Sequence, residues 1–351
     1  MTAIVPAEEI FRSCQDAGRT ELSRSSRRDW EDKRRLMERQ KTHSGPDGPR
    51  SSWRSRVFAS ATGVVGLGAR LVGIHPRGLR NALDVRLVTL SLSFPDLPPT
   101  FDGYRILQLS DTHLDFLPEL SVVAARLLAG VEVDLLALTG DVRGHHRAAI
   151  TASTAPLANL LKAVSVNDRR LAVLGNHDPA DMAAALEKLG FEVLINRSIT
   201  LTRGDQSIVV TGLDDVHRFF TPDALRALAE SPEGFRIALV HSAEVADHAA
   251  VANYALYLSG HTHGGQICLP GGRPIVTHLR RCRHACAGTW SEGSMIGYTS
   301  CGLGVSDVPL RFNCRGEVSL ITLRRSACPL PQGNPSRRTS IRAGCSVNDC
   351  L

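Results

Sequence analysis

The feature that most constrains this chain is a repeated pairing of a short apolar run with a polar cluster directly behind it. Five such clusters occur, and each follows a predicted strand: Asp111-Thr112-His113, Gly140-Asp141, Gly175-Asn176-His177-Asp178, His241, and Gly260-His261-Thr262-His263-Gly264-Gly265. In an α/β sheet the carboxyl ends of the strands border a common crevice, so residues just past them can meet in space. The sequence therefore predicts one shared polar site at a sheet edge.

Strand and helix patterns alternate from residue 84 to residue 324, which predicts an α/β protein whose sheet is covered by helices. The continuous apolar run 134–138 is typical of a strand buried on both faces. Predicted strands precede the polar clusters at 104–109, 134–138, 171–174, 235–240 and 255–258, and predicted helices lie at 117–129, 148–163, 182–189 and 222–230. Beyond residue 258 we expect short strands as far as Leu323.

Three segments flank this predicted domain. Residues 1–56 are basic and rich in Ser and Arg, and we expect them to be disordered, with a short amphipathic helix within 29–40 as an alternative. Residues 57–74 are apolar but Gly-rich, and they fall short of the roughly 20 apolar residues of a spanning helix. They are a candidate membrane anchor or interfacial segment, against a soluble apolar segment or a propeptide. Residues 325–351 are expected to form a loose C-terminal tail.

Positive charge is concentrated at the N-terminus. The first 90 residues hold 17 Lys or Arg and 10 Asp or Glu, while the whole chain has a net charge of +6, so the remainder is nearly neutral. Because the chain beyond residue 90 is nearly neutral and only 5% of all residues are aromatic, no nucleic-acid partner is expected. A basic arm suits an anionic membrane surface or a solvated tail.

Localisation follows from the same region. Ser26-Arg27-Arg28 is similar to a twin-arginine signal, but the apolar run begins about thirty residues later, where such signals place it close behind the arginines. We therefore expect a cytoplasmic protein, or one peripheral at the inner membrane, and favour export less.

The residue types in the five clusters suit divalent transition metals. Imidazole combined with carboxylate favours Mn, Fe or Zn over Ca, which prefers oxygen alone. Asp111 and His113 lie two residues apart on chain expected to be extended, so both should point to one side, and the same holds for His261 and His263. Each cluster alone is compatible with an ordinary turn or a hydrogen-bonded structural residue. The complete set, in this order, predicts a two-metal site.

The five clusters resemble the calcineurin-like metallophosphoesterases, whose pattern is D-x-H, G-D, G-N-H-D/E, a lone H and G-H-x-H, in that order. The resemblance covers roughly residues 100–324. Segments 261–267, 302–304 and 309–314 are most similar to a bacterial branch that includes membrane-associated phosphodiesterases and some UDP-2,3-diacylglucosamine pyrophosphatases. The resemblance implies an α/β/β/α sandwich with metal ligands on loops at the carboxyl ends of strands.

The resemblance also implies a role for each matched residue and two divalent ions, Mn, Fe or Zn. The first ion would be held by Asp111, His113 and His263, the second by Asn176, His241 and His261, with Asp141 bridging the two. His177 would face the substrate and Asp178 would orient it. His145 and His146 are expected to be solvated loop residues, with contact to substrate as the alternative.

The activity implied is hydrolysis of phosphodiester or pyrophosphate bonds by a hydroxide that the dinuclear metal centre activates. A lipid-linked or nucleotide-sugar substrate, as in lipid A biosynthesis, fits the membrane-apposed N-terminus. One alternative is a dinuclear hydrolase of a non-phosphate ester or amide, and another is a non-catalytic adaptor on the same fold. The oligomeric state is not predicted.

Eight of the nine cysteines lie after residue 267. A long chain with an odd number of cysteines is not typical of a disulfide scaffold. Cys282 and Cys286 have the spacing of half a zinc site, but reduced thiols are the simpler expectation.

Overall fold

Two six-stranded sheets form the centre of the protein. A computed structural model describes residues 27–40, 44–49, 66 and 68–326. The strands are β1 (Ser44–Gly45), β2 (Gly48–Pro49), β3 (Arg86–Phe94), β4 (Arg105–Leu109), β5 (Val131–Thr139), β6 (Val164–Val173), β7 (Glu192–Val193), β8 (Arg197–Arg203), β9 (Gln206–Gly212), β10 (Phe235–Leu239), β11 (Leu256–Ser259), β12 (Cys268–Leu269), β13 (Arg273–Pro274), β14 (Gly288–Glu292), β15 (Met295–Thr299) and β16 (Glu317–Arg325).

The helices cover the outer faces of the sheets. They are α1 (Arg27–Gln40), α2 (His75–Leu83), α3 (Glu119–Leu127), α4 (Thr151–Leu161), α5 (Ala180–Lys188), α6 (Pro222–Ala229) and α7 (Ala246–Val251), with single 3-10 turns at Pro99–Phe101, Ala243–Val245 and His263–Gly265. In the described part of the chain no helix combines the length and the hydropathy that a membrane crossing requires.

The strand order is β3-β16-β4-β5-β6-β7 in the first sheet and β14-β15-β11-β10-β9-β8 in the second. Strands β4 to β7 run parallel to one another, as do β9, β10, β11 and β15. Parallel neighbours end at the same edge, so each sheet presents several strand carboxyl ends together. This arrangement provides the shared edge that the sequence predicts.

The two sheets pack face to face through an apolar layer. Ile106, Leu135 and Val173 of the first sheet meet Ile237 and Leu258 of the second, and all five are buried. Leu136 and Leu138, on the opposite face of β5, pack under the layer of α3, α4 and α5. Because side chains alternate between the two faces of a strand, neighbouring residues of β5 pack in different cores. A third core joins α6 and α7 to the outer face of the second sheet, which confirms the α/β/β/α sandwich.

Two strands differ clearly from the sequence-based expectation, and the helices α2 and α7 were not predicted from sequence. The C-terminal part of the domain contains β16, which has nine residues and pairs between β3 and β4, rather than short strands alone. Strand β6 begins at Val164, seven residues before the predicted start, because its first half is polar and largely exposed. Apolar patterning identifies only the buried half of such a strand.

Helix α1 lies in the basic region, within which the sequence allowed a short helix. Arg27 pairs with Glu31 one turn later at 3.0 Å, which supports the helix locally. The helix docks on the domain through Trp30, whose Nε1 donates to Asp214 at 2.7 Å, and through Arg34, which is 1% exposed. Residues 1–26, 41–43 and 50–56, and most of the candidate anchor at 57–74, lie outside the described residues, as does the C-terminal tail beyond residue 326.

Candidate metal centre

The polar clusters follow strands of both sheets at one shared edge. Asp111 comes two residues after β4, Asp141 two after β5, and Asn176 three after β6. From the second sheet, His241 comes two residues after β10 and His261 two after β11. The facing edges of the sheets thus bring together residues separated by 150 positions.

A first group of ligand atoms comprises Asp111, His113 and His263, all buried and within 4.8 Å of one another. Nε2 of His113 lies 3.2 Å from Nε2 of His263, and the two rings are stacked with their centroids 5.1 Å apart. Nε2 of His263 lies 3.5 Å from Oδ1 of Asp111. Three donors are thus directed at one point, as a metal ion requires.

A second group comprises Asp141, His241 and His261, also buried and within 4.8 Å of one another. Nε2 of His241 lies 3.1 Å from Oδ1 of Asn176 and 3.2 Å from Oδ2 of Asp141. The amide oxygen therefore belongs to the same cluster as the imidazoles and can bind a cation without adding charge.

Asp141 faces both groups through one oxygen. Its Oδ2 lies 3.2 Å from Nε2 of His241 and 3.8 Å from Nε2 of His113. Its Oδ1 accepts the backbone N–H of His177 at 2.8 Å, which fixes the carboxylate plane. A single oxygen is therefore placed between the groups, where a bridging ligand would lie.

The backbone at these residues is not extended, so the expected extended conformation was wrong. Asp111 and His113 still face one group, as expected, whereas His261 and His263 belong to different groups. Asp111, His113, Asp141, His261 and His263 all have positive φ, between 39° and 72°. Such a conformation is uncommon for residues other than Gly and marks local strain, which concentrates at functional sites. Left-handed turns, rather than β-alternation, bring His113 and Asp111 into one group and separate His261 from His263.

Two glycines allow the carboxylates to approach the backbone closely. A Cβ at Gly260 would lie 2.1 Å from Oδ2 of Asp111, and a Cβ at Gly175 would lie 2.1 Å from Oδ1 of Asp141. A side chain at either position would force the neighbouring carboxylate to move, so the observed geometry depends on Gly at both. The Gly residues in the sequence clusters therefore have a steric role at the centre itself.

Backbone carbonyl oxygens orient the imidazoles. Nδ1 of His113 lies 3.0 Å from the carbonyl oxygen of Arg143, and Nδ1 of His241 lies 2.8 Å from that of Thr139. A carbonyl can only accept, so each Nδ1 carries the hydrogen and each Nε2 is left for a ligand. This arrangement is typical of metal-binding histidines.

Burial lowers the pKa of His113 to about 4, and it lowers the pKa values of His261 and His263 as well. These three rings are therefore neutral at pH 7, as metal ligation requires. Burial raises the pKa of Asp111 to about 6.

Asp141 and His241 behave differently. Burial opposes the charged form of each, but their mutual attraction outweighs it, holding the pKa of Asp141 well below its usual value and raising the pKa of His241 to about 10.

The residues fit a pair of divalent cations. Nε2 of His261 is buried and, within the part of the chain that the structure describes, has no hydrogen-bond partner. An orphaned buried nitrogen calls for an explanation, and a metal ion supplies one. Imidazole and carboxylate donors in two groups that share one oxygen suit Mn, Fe or Zn.

His177 lies beside the first group, with its ring centroid 5.3 Å from that of His113. Nδ1 of His177 is held by the carbonyl oxygen of Gly144 at 2.8 Å. The carboxylate of Asp178 instead accepts backbone N–H groups of Val142, Arg143 and Gly175 at 2.9–3.2 Å. Any orienting effect of Asp178 on His177 therefore acts through the backbone.

The loop 214–219 is part of the centre, and the sequence analysis missed it. The Asp215 carboxylate accepts the backbone N–H groups of His217, Arg218 and Phe219 at 2.6–3.1 Å. The ring of His217 lies 4.0 Å from that of His261, and Arg218 donates to the carbonyl oxygen of Asn176 at 3.4 Å. Like the other clusters, this loop places polar residues directly after the carboxyl end of a strand, in this case β9.

His145 and His146 are both exposed. The ring of His146 stacks on that of His177 at 4.6 Å, with an interplanar angle of 6°. His145 instead packs on Phe116, 3.9 Å between ring centroids. The five described cysteines are free, and none of them belongs to a metal-binding group of three in the described ranges.

A four-layer sandwich with two imidazole–carboxylate groups at the carboxyl ends of its inner strands defines a metallohydrolase. The family model described as calcineurin-like phosphoesterase matches residues 104–265. The chain is 34% identical over 244 residues to the uncharacterized metallophosphoesterase YkuE of Bacillus subtilis, a match that spans 65% of this chain and 82% of that protein. The chain belongs to the calcineurin-like metallophosphoesterase family and is a hydrolase of phosphoric esters.

Two further relatives carry more specific names. The phosphodiesterase YaeI of Escherichia coli is 27% identical over 230 residues, which span 63% of this chain and 82% of that protein. A transmembrane protein with metallophosphoesterase domain from Bos taurus is 26% identical over 276 residues, which span 70% of this chain and 59% of that protein.

Proposed function

We propose that this protein hydrolyses phosphodiester or pyrophosphate bonds with two divalent ions, held by Asp111, His113 and His263 on one side and by Asn176, His241 and His261 on the other. The main support for this proposal is the position of Asp141, whose Oδ2 lies 3.2 Å from Nε2 of His241 and 3.8 Å from Nε2 of His113. When bound, two such ions supply Lewis acidity and a water that is acidic near neutral pH.

The charge balance of the centre favours an anionic substrate. Two divalent cations contribute four positive charges, and Asp111 and Asp141 contribute two negative ones. The remaining ligands are neutral once a bound cation has replaced the proton of His241, so the loaded centre keeps a positive charge for phosphoryl oxygens. Arg218, which donates to the carbonyl oxygen of Asn176, adds a further cation beside the second group.

His177 is the proposed proton donor to the leaving oxygen. Because the carbonyl oxygen of Gly144 fixes the hydrogen on Nδ1, Nε2 is the atom that gains and releases the catalytic proton. Its neighbour His146 stacks on the ring and limits its rotation. Asp178 holds the backbone of 175–178 against that of Val142 and Arg143, and so keeps the donor in place.

A lipid-linked or nucleotide-sugar substrate is the proposed class. Leu71, Val72 and Ile74 are 78%, 69% and 43% exposed, at the end of the apolar segment that the sequence analysis identified as a candidate anchor. Exposed apolar residues next to a basic arm suit the surface of an anionic bilayer. The relative from Bos taurus is named as a transmembrane protein, which agrees with a membrane setting.

The function is tested on the full chain after metal stripping and reconstitution with Mn²⁺, Zn²⁺ or Fe²⁺. Bis-p-nitrophenyl phosphate, a nucleotide pyrophosphate and a UDP-acylated glucosamine are compared with an ester and an amide. We expect metal-dependent turnover of the phosphorus substrates only. Turnover of the ester or amide with none of the phosphorus compounds would support the rival hydrolase class.

The membrane surface is tested by co-sedimentation with phosphatidylglycerol vesicles. Leu71→Asp/Val72→Asp should reduce binding, since both side chains are exposed and apolar. Val122→Asp is a control, because Val122 is 52% exposed on α3, outside the apolar segment. Equal binding of all three proteins would argue against a role for this segment.

A further inference from the structure

Arg34 of α1 reaches from outside the matched family segment to the loop that carries Asn176 and His177. The side chain is 1% exposed. Its Nη2 donates to the carbonyl oxygen of Gly175 at 2.8 Å and to that of Asp178 at 2.7 Å. These two carbonyls flank Asn176 and His177. One guanidinium nitrogen therefore joins the two ends of the loop.

The same guanidinium also binds the loop 214–219. Its Nη1 donates to the carboxylate of Asp214, and its Cζ lies 4.1 Å from the ring centroid of Phe219. Asp214 and Phe219 are the ends of the segment that carries His217 and Arg218 beside the second ligand group. Arg34 is thus a common support for two loops that border that group.

The rest of α1 strengthens this attachment. Trp30 Nε1 donates to Oδ2 of Asp214 at 2.7 Å, and the Glu38 carboxylate accepts the backbone N–H of Ala180 at 2.8 Å. Asp214 is buried, and burial raises its pKa. Without the guanidinium, a buried carboxylate would lose its cation and two carbonyl oxygens would each lose a donor, which is unfavourable, so the loops would be expected to shift.

The first ligand group has a different support. Within the described residues, Arg34 makes no hydrogen bond to Asp111, His113 or His263. The carbonyl oxygen of His263 is instead bound by Nη1 of Arg311 at 3.2 Å. The two halves of the centre are therefore held by separate buried arginines, which makes their contributions separable by experiment.

We propose that Arg34 is a positioning residue for the half of the metal centre formed by Asn176, His241 and His261, and that α1 is part of the catalytic unit. The inference rests on the proposed dinuclear function. Arg34 touches neither substrate nor metal, and it acts through the backbone of Gly175 and Asp178 and through Asp214.

The test is stepwise Mn²⁺ binding to the metal-stripped full chain, measured by calorimetry and by Mn²⁺ paramagnetic resonance. Arg34→Gln should weaken one binding step by about 10–100-fold, the range typical for loss of a group that supports a metal ligand, and leave the other step within about twofold. Arg35→Gln is the matched control. It removes the same charge from the same helix, but Arg35 pairs with Asp181 at the surface, so neither step should change.

Amide hydrogen exchange in the metal-free protein gives a second readout. Exchange of the 174–178 backbone should accelerate in Arg34→Gln and not in Arg35→Gln, while β4 and β11 stay protected. Equal weakening of both binding steps, or unchanged binding and exchange, would overturn the proposal. If the wild-type chain shows no two-step metal binding, the dinuclear function fails, and the exchange measurement still decides whether Arg34 holds the loop.

Two further variants keep the test decisive if Arg34→Gln does not fold. Arg34→Gln/Asp214→Asn removes the buried carboxylate together with its cation and should show the same selective loss. In Arg34→Ala, low-millimolar methylguanidinium should restore the weakened step, whereas urea and NaCl should not. A folded double variant that binds both ions as the wild type does would refute the assignment.

Discussion

Nδ1 of His177 lies 2.8 Å from the carbonyl oxygen of Gly144, so the hydrogen on this nitrogen is committed to the backbone. Only Nε2 can then exchange a proton with a substrate. The contact spans 33 positions of sequence and joins the Gly-Asn-His-Asp cluster to the chain that follows Asp141. The proposed proton donor is therefore held in a fixed position relative to the chain that follows the proposed bridging carboxylate.

His177→Ala should retain metal and lose activity in a way that depends on the leaving group. General acid catalysis is worth about 10²–10⁴-fold, so an unactivated phosphodiester should lose turnover on that scale. Bis-p-nitrophenyl phosphate should lose much less, because p-nitrophenolate departs without a proton. Elemental analysis and the ratio of kcat on the two substrates provide the measurement.

The control for His177→Ala is His145→Ala, since His145 is exposed and packs on Phe116 rather than on His177. It should leave both substrates unaffected. A His177→Ala protein that has lost its metal, or that slows equally on both substrates, would contradict the assignment of a proton donor.

Asp141→Asn should impair both metal-binding steps, whereas Asp111→Asn should impair one. The reason is geometric, because Oδ2 of Asp141 faces His241 at 3.2 Å and His113 at 3.8 Å, while Asp111 belongs to the first group alone. Asn preserves the shape of the side chain and removes its charge. Metal equivalents per chain after gel filtration distinguish the two variants, and two full equivalents in Asp141→Asn would exclude a bridging role.

The location of the centre could be predicted from sequence because the end of a strand is marked by a local sequence pattern. An apolar run followed by Asp, His or Asn predicts both the strand and the edge where its polar residues meet, as at Leu109 and Asp111. The loop after β9 obeys the same rule, and its Asp215, His217 and Arg218 were within reach of the sequence. The sequence analysis missed these three residues because the loop contains no metal-ligand pattern.

Other features could not be predicted from local patterns. The left-handed backbone of Asp111 and His113 is imposed by tertiary contacts, such as the hydrogen bond from His261 N to Asp111, which links residues 150 positions apart. The docking of α1 depends on Arg34 and Asp214, which are 180 positions apart. A charged residue on a polar helix normally predicts exposure, so nothing in the segment itself indicates that Arg34 is buried.

Gly260→Ala should disrupt the first ligand group without altering a single ligand. The added methyl group would lie 1.9 Å from Oγ of Ser110 and 2.1 Å from Oδ2 of Asp111, so the carboxylate must move. We expect weaker metal binding in the first group and a loss of free energy of unfolding of about 1–3 kcal/mol from overpacking. Titration with Mn²⁺ and denaturant unfolding measure both effects.

Gly68→Ala is the control for Gly260→Ala, because a Cβ at Gly68 would meet nothing within 4 Å. This variant should bind metal as the wild type does and should show no loss of free energy of unfolding, because Ala is favoured over Gly in the helical segment 68–71. Unchanged metal binding in Gly260→Ala would mean that the close approach to Asp111 is not required for the site.

Arg311→Lys should destabilise the first half of the centre and spare the second. Arg311 is fully buried, and its Nη2 donates to the carbonyl oxygens of Gly304 at 2.6 Å and Cys301 at 2.7 Å, while Nη1 donates to that of His263 at 3.2 Å. A lysine ammonium cannot reproduce this planar set of donors. Leaving carbonyls unpaired costs about 1–3 kcal/mol each, so the free energy of unfolding should fall by several kcal/mol.

The control for Arg311→Lys is Arg315→Lys, since Arg315 is largely exposed and pairs with Asp84 at 3.0 Å. Exposed pairs contribute about 0–1 kcal/mol, so this variant should unfold close to the wild type. Stepwise Mn²⁺ titration then compares Arg311→Lys with Arg34→Gln. If each buried arginine supports one half of the centre, Arg311→Lys should weaken one metal-binding step and Arg34→Gln the other. Loss of the same step in both would show that the two halves respond as one unit, and that separate supports for them do not exist.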